Sequence, residues 1–73
     1  GVIEIEVGDD NEGILAAASA LISSKNISIR QAYASDTELD DNPVLTIITE
    51  DFVPGDLISE FLKIPGVIRV SIY

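Results

Sequence analysis

Residues 2–34 read VIEIEVGDDNEGILAAASALISSKNISIRQAYA, and the apolar period changes twice along them. In Val2 to Val7, Ile3, Ile5 and Val7 alternate with Glu4 and Glu6, as expected of a strand with one buried face. From Ile14 the apolar positions are Ile14, Leu15, Ala18, Leu21 and Ile22, spaced as on one face of an amphipathic helix. Gly13 stands just before that helix and Asn26 near its end. Its other side, Ala16, Ala17, Ser19, Ala20 and Ser23, is small and bland. At Ile27 to Ala34 the alternation returns, with Ile27, Ile29, Gln31 and Tyr33 expected on one face and Ser28, Arg30 and Ala32 on the other. The opening is therefore strand, helix, strand.

The remainder repeats the theme. SDTELDDNP, residues 35–43, is rich in turn formers and closes on Pro43. Val44 to Glu50, VLTIITE, is nearly continuous in apolar and β-branched residues, as expected of a central strand covered on part of both faces. Leu57, Ile58, Phe61 and Leu62 mark a second helix, with Pro54 expected in its first turn, and Pro65-Gly66 stops it before a last strand from Val67 to Tyr73.

The order β-α-β-β-α-β predicts a ferredoxin-like α+β sandwich, a four-stranded antiparallel sheet with two helices on one face. Right-handed crossovers set strands one and three side by side at its centre, expected to run parallel, with strands two and four at the edges. The open face is expected to carry Glu4, Glu6, Arg30, Thr46, Ile48 and Arg69. An uncovered face and a bare edge strand both invite a partner.

Seventy-three residues make one domain, residues 1–73, with a thin stability margin, because so short a chain buries only about 60% of its unfolded surface. It opens almost inside a strand and closes on one, as expected of a domain taken from a longer protein. With no cysteine there is no disulfide or thiolate site to help, which leaves a partner chain or parent protein as the expected support. A formal charge of -9 disfavours direct contact with nucleic acid or an anionic membrane. No apolar run approaches the roughly 20 residues that span a bilayer. A cytoplasmic location is expected.

Chemistry is narrowed by what is missing. There is no histidine, and the thirteen carboxylates have no histidine or cysteine relay beside them, so an enzyme is the least expected class. Asp36, Glu38 and Asp40 resemble the start of a calcium loop, but Asp41 stands where glycine is needed and Ile47 where the closing glutamate is needed. No metal site and no cofactor is expected. Among ferredoxin-like groups, the copper-chaperone type needs a Cys-x-x-Cys that is absent. The RNA-recognition type needs exposed aromatics on its central strands, where this chain has Ile, Thr and Val.

The turn between the first strand and the first helix, GDDNEGIL at residues 8–15, offers a different use. A helix start has backbone N–H groups without intrahelical partners, and Gly13 allows a ligand to come close to them. Asp10 or Asn11 could serve simply as the helix cap. One glycine without a lysine makes a poor phosphate cradle. A ligand carrying both a carboxylate and an ammonium suits the place better, since the N–H groups hold the carboxylate while Asp9, Asp10 or Glu12 attracts the amine.

Here the chain resembles the ACT domain, the small amino-acid-sensing regulatory module, over essentially its whole length. DNEGIL is similar to that family's Asp-x-x-Gly-Leu/Ile turn, with Asp10 and Gly13 on the marked positions. LISSKNISI resembles its helix exit, where Asn26 to Ile29 open strand two, and FLKIPGVIRVSIY resembles its closing helix and strand. Glu12 departs from the pattern, which often has proline there and hence a stiffer loop. The resemblance implies two associated domains, often joined sheet edge to edge as a homodimer or higher homo-oligomer, with an effector amino acid between them. One wall is then Asp10, Asn11, Glu12, Gly13, Ile14 and Leu15, and the other is Ser28, Ile29 and Arg30, commonly from the partner chain. Arg30 either clamps the effector's α-carboxylate or pairs with Glu4 or Glu6 across the sheet. Archaeal regulators of amino-acid metabolism that couple a helix to an ACT domain are the parent group suggested. The rival readings are a ligand-free dimerisation module and a divalent-cation-binding domain using Asp9, Asp10 and Glu12 or the acidic 35–43 segment.

Overall fold

The computed structural model describes residues 1–8, 13–35 and 42–73. Its elements are β1 (Val2–Val7), α1 (Ile14–Ser24), β2 (Ile29–Ser35), β3 (Val44–Thr49), α2 (Leu57–Leu62) and β4 (Val67–Ile72). They form one four-stranded sheet in the order β2-β3-β1-β4, every neighbouring pair antiparallel. This is the ferredoxin-like α+β arrangement expected from the order of elements. The expected parallel pairing of strands one and three is corrected: β1 and β3 run antiparallel. The α1 crossover returns the chain so that β2 points the same way as β1, and β3 then reverses against β2.

One layer of core lies between sheet and helices. β1 contributes Ile3, Ile5 and Val7, β3 contributes Leu45 and Ile47, α1 contributes Ile14, Ala18 and Ile22, and α2 contributes Leu57 and Phe61. Each fully buried aliphatic or aromatic side chain among these is worth about 1.5–3 kcal/mol over leaving it in water. The helix-1 stripe is narrower than its periodicity suggests, because Leu15 remains 51% exposed. α2 is short and begins at Leu57, so Pro54 precedes it in a turn, its carbonyl accepting from the Leu57 N–H at 3.1 Å.

The end of α1 is built by Asn26. It has φ 60°, in the left-handed region that asparagine tolerates better than most residues. Its N–H donates to the Ser23 carbonyl at 2.9 Å and the next N–H, of Ile27, to the Ile22 carbonyl at 3.4 Å. These bonds satisfy carbonyls that the helix leaves open, and they turn Ile27 into the core.

Two extra residues change which side chains face the helices. On β2 the register passes from Ile29↔Thr49 to Gln31↔Ile48, so Arg30 is a bulge residue. Ile29 therefore shares the helix side with Thr49, Gln31 and Tyr33 face the open side with Ile48 and Thr46, and Ala32 and Ala34 return to the helix side opposite Ile47 and Leu45. The expected grouping of Ile27, Ile29, Gln31 and Tyr33 on one face is corrected accordingly. On β4, Ile68 is the extra residue between Val67↔Val7 and Arg69↔Glu6, and it is half exposed.

Candidate functional site

Gly13 opens α1 in the left-handed conformation, φ 77° and ψ 2°, and its carbonyl accepts the first helical bond from Ala17 N–H at 3.0 Å. A Cβ at this position would meet nothing within 4 Å, so it is the backbone angle, not crowding, that suits glycine here. Asp9, Asp10, Asn11 and Glu12 lie outside the described residues, as does the acidic segment 36–41.

The first turn of the helix borders a cavity of about 340 Å³. Ile14 and Leu15 form its helix side, while Val7 and Leu45 come from the two central strands. Ala32, Tyr33 and Ala34 close it from β2, and Pro43 from the entry to β3. Ala32 and Ala34 are exposed although their register puts them on the helix side, so α1 does not cover this end of the edge strand. The sequence motifs single out Ile14 and Leu15 but not Ala32, Ala34 or Pro43. A hint was present in the phase change from Ile27 and Ile29 to Ala32 and Ala34, which marks where the strand changes face.

Ser28, Ile29 and Arg30 are placed elsewhere. Ile29 pairs with Thr49 and the Ser28 carbonyl accepts from Glu50 N–H at 3.0 Å, at the end of the sheet where Val2 pairs with Ile48. Ile14 and Leu15 lie at the opposite end, by Val7, Pro43 and Leu45. Among the described residues of one chain the two expected walls do not meet.

Arg30 is exposed and forms no ion pair with another described residue. Its expected pairing with Glu4 or Glu6 is not found among the described residues, because β3 lies between β2 and β1 and Arg30 sits by Thr49 and Ile48, whereas Glu6 lies by Val44 and pairs with Arg69. Arg69 Nη2 donates to Glu6 Oε1 at 2.8 Å, and Asn42 Nδ2 donates to Glu6 Oε2 at 3.1 Å. The Asn42 hydrogen bond, joined by the bond and charge of Arg69, lowers the Glu6 pKa from its ordinary value against a smaller opposing desolvation. These residues rim a shallow cavity of about 270 Å³ on the open face, with Glu4, Ser71 and Tyr73.

Among the described residues, no three histidine, cysteine or acidic side chains are grouped so as to hold a metal ion. No helix among them is long and apolar enough to cross a membrane. Comparison of the chain with protein-family models and with curated proteins finds no match.

Proposed function

We propose that the chain is a regulatory, amino-acid-binding domain of the ACT type that pairs with a second copy and controls amino-acid metabolism through a linked protein, without catalysis of its own. The observation that carries this reading is the left-handed Gly13 at the start of α1, bordered by a ligand-sized cavity, on a βαββαβ fold. The Asp10-x-x-Gly13-Ile14 turn and the Asn26-Ile27 strand entry, both similar to that family's, support it.

In this mechanism the effector sits between the helix start of one copy, Asp10 to Leu15, and the strand entry of the other, Ser28 to Arg30. Backbone N–H groups near Gly13 and the guanidinium of Arg30 hold its carboxylate, and the acids of the loop hold its ammonium. The effector regulates only by binding one arrangement of the pair more tightly than another. Calorimetric titration with each of the twenty amino acids tests the reading. Heat from at least one of them at millimolar concentration is expected, and silence from all twenty rejects it.

A ligand-free dimerisation module is the second reading, favoured by β2, an edge strand exposed from Arg30 to Ser35. Sedimentation distinguishes the two: the module is a firm dimer indifferent to amino acids, whereas the sensor changes its association when the effector is added.

A further inference from the structure

The cavity beside α1 carries information about the effector's side chain. Its described side-chain lining is hydrocarbon, with Ile14, Leu15, Pro43 and Leu45 around Ala32 and Ala34, and the polar part comes from the strand backbone, since the Tyr33 side chain faces the open side. We infer that this cavity is the side-chain subsite of the effector, and that the effector is an amino acid with an apolar side chain. The inference rests on the amino-acid reading above and adds the chemical class.

Four observations support it. The lining side chains offer no charged or hydrogen-bonding group to a carboxylate, ammonium or amide, whereas an apolar group buries surface against them. A volume of about 340 Å³ is at the low end of small-molecule pockets, room for a small ligand including an aliphatic side chain rather than for a protein segment. The room itself exists because Ala32 and Ala34 are short: they sit opposite Ile47 and Leu45 on the helix side, yet α1 leaves them exposed. Leu15, half exposed at the rim, gains burial when an apolar group enters.

The test is calorimetry of the whole chain with all twenty amino acids, followed by a substitution that fills the cavity. Affinity should rise from glycine through alanine to valine and leucine, about fourfold for each methylene buried. Ala34→Leu, at an exposed edge position, should weaken leucine binding at least tenfold with an unchanged unfolding midpoint. If that variant does not fold, Ala32→Val should act in the same direction. Tightest binding by aspartate, lysine or serine overturns the side-chain inference and leaves the amino-acid reading standing. Leucine binding that a folded Ala34→Leu or Ala32→Val leaves unchanged overturns it too, by placing the ligand elsewhere. No heat from any amino acid overturns both.

Discussion

Arg69 and Glu6 are cross-strand neighbours on β4 and β1, and their side chains meet at 2.8 Å on the open face of the sheet. Glu6 receives a second bond from Asn42, just ahead of β3, so one carboxylate ties three parts of the chain together. The arginine is three-quarters exposed, and exposed pairs of this kind contribute modestly and are screened by salt.

The pair has a pH signature with a definite sign. The folded-state pKa of Glu6 is lowered, so its contribution is present above the ordinary carboxylate pKa and is lost as pH falls through the folded value. The stability difference between the native chain and Glu6→Gln should therefore narrow as pH drops below about 4.5. Asn42→Ala should raise the Glu6 pKa toward its ordinary value. Carboxyl NMR titration reads the second effect and urea unfolding at several pH values the first.

Asn26 and Gly13 both hold left-handed backbone, at opposite ends of α1. Gly13→Ala should cost about 1–2 kcal/mol, since that conformation crowds a Cβ against the following carbonyl, and Asn26→Ala should cost less, because asparagine already carries a Cβ there. Asn26→Gly should be tolerated, because glycine adopts the angle freely and keeps both backbone bonds. Chemical denaturation of the three variants checks this.

Phe61 is fully buried in the core, and truncation there removes the largest wholly buried side chain among the described residues. Phe61→Ala should cost about 3–5 kcal/mol and Ile5→Val about 0.5–1.5 kcal/mol. In a domain with the usual stability of roughly 5–15 kcal/mol, the first change consumes much of the margin. Urea midpoints separate the two.

Arg30 separates stability from binding. With no ion pair to another described residue, Arg30→Ala should change unfolding free energy by less than about 0.5 kcal/mol. It should nevertheless weaken effector binding by about ten- to a hundredfold, the loss expected for one charge-assisted hydrogen bond of roughly 1.5–3 kcal/mol. Paired denaturation and calorimetry measure both.

The fold was legible because period is a local property. Ile3, Ile5 and Val7 alternate, Ile14, Ala18 and Ile22 recur along one helical stripe, and Pro65-Gly66 breaks the second helix. Six elements in that order leave few ways to bury every apolar face at once, so the sheet order follows. The turn chemistry at Gly13 and Asn26 was legible for the same reason.

Register was not. Arg30 and Ile68 are single extra residues, and each reverses the alternation that sequence spacing alone would extend. The reversal at Arg30 turns Gln31 and Tyr33 to the open side and puts Ala32 and Ala34 beside Ile14 and Leu15, while the strand order and register set Arg69 rather than Arg30 opposite Glu6. The amino-acid sequence by itself determined the elements, their order and the helix-start turn, all governed by contacts within a few residues. The cavity and the choice of arginine depended on how strands far apart in the chain align, and only the folded sheet decided that.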